Sequence, residues 1–408
     1  MWNRFLTYKH IASIAIILFF TIGCVEPFDF ESKNFDSLIV VNGVLTDELK
    51  FQKIFLANTT PIDESTESPE TGAIVKVIDD LGSEYLFVEN ESGTYISTEA
   101  FGIIEGVNYT LNVKTRNGRE YSSEAASITS GKKPVEVRAV NRINDLGDLG
   151  VDILVSSIDE TNSSKYYRYE YEETYKIIAP YWAALDIVLG PEVTCGVPFD
   201  FQPKTTEQEV CYNTVYSNRI IQTNTLGLDG DNVGDFSVRF IPISNDIIHH
   251  RYSILVKQYV QSREAHAYYE KLNSFIEEGN LFTQIQAGFI QGNMYSVSDR
   301  DNENVLGFFE VSTVVEERIF FSFEDIFQDI ERPDSLCNLF APTVLTRGGS
   351  CNLYTYLEQG YMYYTDNPDP GTGNVTGNFG PGPYIIVSPE CGDCTVLGSA
   401  EVPSFWID

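Results

Sequence analysis

Ala73-Ile74-Val75-Lys76-Val77-Ile78, then Asp79-Asp80-Leu81-Gly82, then Tyr85-Leu86-Phe87-Val88 is the stretch on which the fold turns. β-Branched residues alternate with polar ones, an Asp/Gly turn signal interrupts, and an aromatic-rich run returns, which together predict an antiparallel hairpin. The pattern repeats on both sides. Leu38-Ile39-Val40-Val41 ends at Asn42-Gly43, and Phe51 to Ala57 forms a second run. Gly93-Thr94-Tyr95-Ile96 follows, and Tyr109-Thr110-Leu111-Asn112-Val113 turns at Asn117-Gly118 into Glu120-Tyr121-Ser122. About seven short strands in fewer than ~100 residues predict an immunoglobulin-like β-sandwich over residues 36–131. Gly131-Lys132-Lys133-Pro134 reads as its boundary.

Residues 135–408 predict a larger, β-rich second domain with long loops. Val151 to Val155, Lys165 to Ile178 and Phe236 to Ile241 read as strands, and residues 179–214 as an irregular insertion. Tyr252 to Val260 is a further strand. The pattern then shifts to helical spacing: Ala265, Tyr268, Tyr269 and Leu272 fall on one face, predicting one amphipathic helix near 261–278. Asn304 to Val315 and Glu317 to Phe323 read as two more strands. The Gly/Pro/Asn tract from Asn367 to Pro383 is too long for a passive connector.

The N-terminus speaks to location. Arg4 and Lys9 precede an apolar run, Ile11 to Phe20, and Phe19-Phe20-Thr21-Ile22-Gly23-Cys24 ends in a cysteine after a small residue. The run is of signal-peptide length, so residues 1–23 are expected to be a lipoprotein signal peptide and Cys24 the lipidated first residue of the mature chain. Glu26, Asp29 and Glu31 lie on a tether spanning residues 24–35 and match an acidic surface-export signal. The chain carries 59 acids against 27 Lys and Arg, a net charge of −32. Residues 1–23 contain Arg4 and Lys9 and no acid, so the mature charge is −34. That balance argues against nucleic acid as a partner, because phosphates would be repelled.

Six cysteines follow the anchor: Cys195, Cys211, Cys337, Cys351, Cys391 and Cys394. An even number in an exported chain predicts disulfides. The expected pairing is a local Cys195–Cys211 bridge, with Cys337 and Cys351 joined to the C-terminal pair. A redox role for Cys391-Gly392-Asp393-Cys394 lacks a βαβ context, and an oxidising compartment counts against the free thiolates that zinc would need.

Tyr166-Tyr167-Arg168-Tyr169, the block Tyr252 to Leu272, Gln291-Gly292-Asn293 with Val305-Leu306-Gly307-Phe308-Phe309, and the ending Cys391-Gly392-Asp393-Cys394 with Ser404-Phe405-Trp406-Ile407-Asp408 resemble Bacteroidota lipoproteins of the domain of unknown function family 4249. The resemblance implies an outer-membrane lipoprotein, often encoded beside TonB-dependent receptors. It implies no reaction and no catalytic residue.

Few residues offer chemistry. Asp229, Asp231 and Asp235, in Asp229-Gly230-Asp231-Asn232-Val233-Gly234-Asp235, place hard oxygens at alternate positions as Ca²⁺ prefers, although turn chemistry alone accounts for the composition. Asp145/Asp148/Asp152 and Asp299/Asp301/Glu303 are weaker versions. Glu264 and His266 point to different helix faces, and His249-His250 side chains diverge along an extended chain. Tyr361, Tyr363, Tyr364 and Phe379 around the Gly/Pro tract are candidates for a contact loop. Neither Gly-x-Ser-x-Gly nor His-Glu-x-x-His occurs. The expectation is a non-enzymatic, surface-exposed outer-membrane lipoprotein without a cofactor, Ca²⁺ aside. It would bind beside an outer-membrane β-barrel, foremost a TonB-dependent receptor in nutrient uptake. The alternatives are a subunit on the outer face of a protein or lipoprotein assembly or export machine, and a surface hydrolase of glycan or peptide.

Overall fold

The fold is that of a computed structural model, which describes residues 37–61, 68–129, 131–159, 163–189, 199–228, 230–278, 290–333, 337–345, 349, 351–368, 370 and 379–408. Cys24, Glu26, Asp29, Glu31, Cys195 and Asp229 lie outside the described residues. The protein is mostly β, with the sandwich-like layering that the alternation predicts.

The strand Ile39–Thr46 buries Ile39, Val41 and Leu45 and pairs antiparallel with Lys53–Asn58. The hydrogen-bonded path continues through Thr94–Ser97, Glu84–Glu91, Ile74–Asp79, Tyr109–Lys114 and Glu120–Ser123 to Met294–Ser296. The inward residues of these strands, among them Ile54, Val77, Tyr95 and Leu111, form the first core. Met294, Val305, Phe309 and Val311 complete it. The first core is therefore not made by residues 36–131 alone.

On its other edge Ile39–Thr46 pairs in parallel with Leu306–Phe321, from Val40 opposite Leu306 to Thr46 opposite Ser312. Beyond that point the same strand pairs antiparallel with Tyr252–Val260, from Thr313 opposite Val260 to Phe321 opposite Tyr252. Residues 306–321 are thus one strand about 50 Å long at ~3.3 Å per residue, not the two expected from Glu316-Glu317-Arg318. That run is accommodated by cross-strand ion pairs, with Glu316 3.4 Å from Lys257 and Arg318 2.6 Å from Glu172. Tyr252–Val260 pairs in turn with Tyr166–Ile178, which pairs with Val210–Tyr216.

A separate sheet of Asp231–Pro242, Leu149–Asp159 and Val135–Ile143 packs its apolar face on these strands. Val151, Ile153 and Val155 meet Tyr167, Tyr169, Ile254 and Val256 in the second core. The helix Arg263–Glu278 lies against Tyr166–Ile178 and Leu306–Phe321. Among the described residues, no helix is long and apolar enough to cross a membrane.

The presumed insertion after residue 179 contributes the hairpin Leu185–Val188 with Asp200–Pro203. This hairpin joins the helix Asn352–Glu358 and the pair Met362–Asp366 with Tyr384–Val387 in a small lobe around Leu353, Leu357 and Ile386. Cys211 is bonded to Cys394 and Cys337 to Cys391, and Cys351 is disulfide-bonded as well. The local Cys195–Cys211 bridge is therefore not formed, and of the two expected links to the C-terminal pair Cys337–Cys391 is made while Cys351 is not joined to it, because Cys394 is taken by Cys211. Ala179 and Cys394 pack around Cys211, so the C-terminal segment, remote in sequence, takes the place of the near neighbour. Cys391 and Cys394 belong to different disulfides and do not make a dithiol pair.

Candidate functional site

Residues 231–235 build a distinctive surface feature among the described residues. Along Asp231–Pro242 the register moves from Val155 opposite Phe236 to Ser157 opposite Val233. Gly234 and Asp235 together face Ser156, which is a β-bulge. Asp235 has φ of 50°, the non-glycine residue with positive φ among those described. Such a conformation costs a side-chain-bearing residue energy, and Asp tolerates it better than most. The strain is offset by contacts: Arg138 and the Ser156 hydroxyl (3.1 Å) both donate to Asp235 Oδ1, and the Asp235 N–H donates to Ser156 Oγ at 3.3 Å. Those hydrogen bonds, from Arg138 first and then Ser156, hold the Asp235 carboxyl below its usual range.

The bulge borders a cavity of about 360 Å³. Thr223, Asn224, Asn232, Asp235, Phe236 and Ser237 line it. Asp231, at the start of the strand, is buried and accepts hydrogen bonds from Ser164 Oγ (2.5 Å), Thr225 Oγ1 (2.6 Å) and the Tyr167 hydroxyl (2.8 Å). Burial pushes the Tyr167 phenol up, with Asp231 adding to it. The two aspartates thus have different partners, the Ser164, Thr225 and Tyr167 hydroxyls for Asp231 and the Arg138 guanidinium with the Ser156 hydroxyl for Asp235. Asp229, the third member of the candidate calcium set, lies outside the described residues. Among the described residues no group of three His, Cys, Asp or Glu could hold a metal.

A second polar cluster lies where the two cores meet. Arg168 and Glu310 are 6% and 2% exposed, with Arg168 Nη2 3.4 Å from Glu310 Oε2. The guanidinium also bonds Glu170 and stands over the rings of Tyr259 (4.3 Å) and Tyr269 (5.1 Å). Gln261 Nε2 donates to Glu310 at 3.2 Å. Burial pushes the Glu310 carboxyl up despite Arg168 beside it. For Glu170 burial acts the same way, but Arg168 outweighs it and the carboxyl is lowered. A buried pair of this kind is costly to break by removing one partner. It therefore ties three strands and the helix to one register.

The histidines serve packing. His266 is buried, with Gln222 Nε2 3.2 Å from its ring and Tyr166 4.9 Å away centroid to centroid. The His249 ring meets the Ile243 carbonyl at 3.2 Å.

The Gly-Asn and Leu-Gly-Phe-Phe segments meet face to face. Asn293 Nδ2 donates to the Phe309 carbonyl at 2.7 Å, and the Phe309 N–H donates back to Asn293 Oδ1 at 2.8 Å. A β-carbon on Gly292 would stand 1.7 Å from the Gly307 carbonyl oxygen, and one on Gly307 1.8 Å from that of Val41. These glycines let three backbones cross where only hydrogen atoms fit.

Residues 25–318 match the family described as domain of unknown function (DUF4249). The chain belongs to that family. The DUF4249 span contains the cavity, the Arg168 cluster and the glycine crossing, and it ends inside Leu306–Phe321. The Cys391 to Asp408 ending, part of the resemblance read from the sequence, lies beyond it. No curated protein matches this DUF4249 chain. A solved structure titled "Biofilm associated protein - B domain" is 8% identical, covers 68% of this chain and 85% of its own, and has a TM-score of 0.13.

The tyrosines assigned to a contact loop are half-buried and pack within the small lobe. Tyr361 meets Phe340 and Tyr356 at 5.3 and 5.2 Å, Tyr363 meets Phe201 at 4.9 Å, and Tyr364 meets Tyr181 at 5.2 Å. The Phe379 carbonyl accepts the Ala341 N–H at 2.5 Å. Aromatic content near a Gly/Pro tract signalled a cluster, but Phe201 and Tyr181, the partners of Tyr363 and Tyr364, come from segments remote in sequence.

Proposed function

We propose that this DUF4249 protein is a surface-exposed outer-membrane lipoprotein that serves as a non-enzymatic binding subunit beside a β-barrel, a TonB-dependent receptor engaged in nutrient uptake. The observation that carries the reading is the sequence Phe19 to Cys24 with the acidic residues Glu26, Asp29 and Glu31 behind it. The disulfides of the folded body fit an oxidising compartment outside the cytoplasm. The geometry suits a tethered module. The chain enters at the start of Ile39–Thr46, and Leu306–Phe321 runs parallel to it and on into the second core. In this reading the first sandwich would stand nearest the tether and the second core farther from it. The buried acids Asp231 and Glu310 are bound to neighbouring side chains, which suits binding better than proton transfer.

The test is affinity isolation of the native chain from membranes in mild detergent, followed by mass spectrometry. A TonB-dependent receptor should be recovered in near-equal amount, and Cys24→Ser should release the chain from the membrane fraction with its fold retained. Repeated isolation of the chain alone would overturn the proposal. Recovery of an assembly or export barrel in the receptor's place would move the chain to that machinery.

A further inference from the structure

We propose that the cavity beside the Gly234-Asp235 bulge is a binding site for a neutral, hydroxyl-rich ligand, a saccharide of one or two rings. Two observations of different kind point to this place. One is the cavity of about 360 Å³, within the size range of small-molecule sites. The other is the bulge with its left-handed aspartate. Bulges next to binding sites re-aim side chains, and residues held in sparsely populated conformations concentrate at ligand clamps.

The lining sets the ligand class. Thr223, Asn224 and Asn232 offer a hydroxyl and amides that both donate and accept, and Ser237 Oγ, which donates to Asp152, can still accept, which matches a hydroxyl-bearing ring. Leu228, which is exposed, supplies apolar surface for the C–H face of such a ring, and Val233 and Phe236 back the cavity from the second core. Among the described residues no Lys or Arg lines the cavity and the charged one is Asp235, so an anion finds no counter-charge there and meets a like one. Arg138 already answers that carboxylate, which removes the demand for a cationic ligand. Both protein hydrogen bonds to the carboxylate fall on Oδ1. Oδ2, on a side chain 55% exposed, keeps its acceptor sites for a ligand hydroxyl. This inference stands apart from the lipid anchor and the barrel, because a binding site in the second core needs neither.

Gly234 makes the test clean. It lines the cavity, and nothing lies within 4 Å of where its β-carbon would be, so Gly234→Leu fills the space without displacing protein atoms. The full chain, held in a detergent without a sugar headgroup, is titrated by calorimetry with glucose, galactose, N-acetylglucosamine, maltose and cellobiose. Glucuronate and glucosamine serve as charged comparators, and each titration is repeated on Cys24→Ser. At least one neutral sugar should bind, with glucuronate at least ten-fold weaker. Gly234→Leu should abolish the heat with an unchanged melting temperature, and Asn232→Ala should weaken binding about five-fold or more. Gly131→Leu, equally open but outside the cavity, should bind as the natural chain does. Absence of binding across the neutral sugars, binding unaffected by Gly234→Leu, or equal binding of glucuronate would each overturn the proposal. None of these results bears on whether a barrel is recovered with the native chain.

Discussion

At Gly307 φ is +112°, and a β-carbon would stand 1.8 Å from the Val41 carbonyl oxygen in the paired strand. At Gly82, in the first hairpin, φ is +93° and nothing lies within 4 Å. The two glycines separate conformational freedom from close approach. Gly82→Ala carries only the left-handed penalty, about 1–2 kcal/mol. Gly307→Ala adds backbone overlap in the parallel pair and should cost more than about 4 kcal/mol, the range reserved for a named structural lesion. Urea midpoints of the two variants measure the difference, and equal shifts would show that the strand crossing tolerates a methyl group. The sequence singled out the Gly307 segment only through family likeness, because its reason lies in chains remote from it, at Gly292 and Val41. The Asp229 to Asp235 segment shows the same limit from the other side. Its composition announced a special loop, but spacing could not show that Asp231 would face Ser164, Tyr167 and Thr225 while Asp235 turned to Arg138.

Among elements, the short alternating strands of residues 39–123 were legible because each hairpin is closed by a local turn residue, as at Gly82 and Gly118. The amphipathic helix was legible for a similar reason, since Ala265, Tyr268 and Tyr269 declare one face. Leu306–Phe321 was not, because Glu316-Glu317-Arg318 looks like a break until Lys257 and Glu172 are brought opposite. The disulfides were legible in number and not in partner. Cys211–Cys394 spans 183 residues, and no local rule selects it. The bond docks a C-terminal segment that has other ties. Trp406 meets Tyr212 at 4.8 Å, Arg318 stands 3.6 Å from the Phe405 ring centroid, and Arg251 Nε donates to the Ile407 carbonyl at 3.1 Å. The double variant Cys211→Ala/Cys394→Ala should therefore lose roughly 3–5 kcal/mol by release of the unfolded chain, while native tryptophan emission stays unchanged. Chemical denaturation followed by fluorescence reads both quantities. A red-shifted native spectrum would show that the disulfide, and not the ring contacts, holds the segment.

For the molecule as a whole, the consequence of sharing Leu306–Phe321 is mechanical. Phe309 and Val311 of that strand belong to the first core and Phe321 to the second, and the Arg168–Glu310 pair bridges strands at their meeting point. Separate domains joined by a linker move relative to each other unless their interface is large and apolar. Here the link is a hydrogen-bonded ladder that does not stop at the boundary, so opening either core unpairs a strand of the other. The two should unfold together in one transition, as single domains do. Hydrogen exchange across a urea series tests this directly. Amides of Ile74–Asp79 and Tyr252–Val260 should lose protection at the same urea concentration, and Glu310→Ala should lower both midpoints by the same amount although Ile74–Asp79 makes no contact with that side chain. Two separated midpoints, or a shift confined to one core, would show the cores to be independent. If they are one body, the cavity and the small lobe keep a fixed position relative to residue 37, so the proposed tether would set the reach of both together. That is the property a binding subunit beside a fixed membrane partner needs, since tethering raises effective concentration only where the geometry permits engagement.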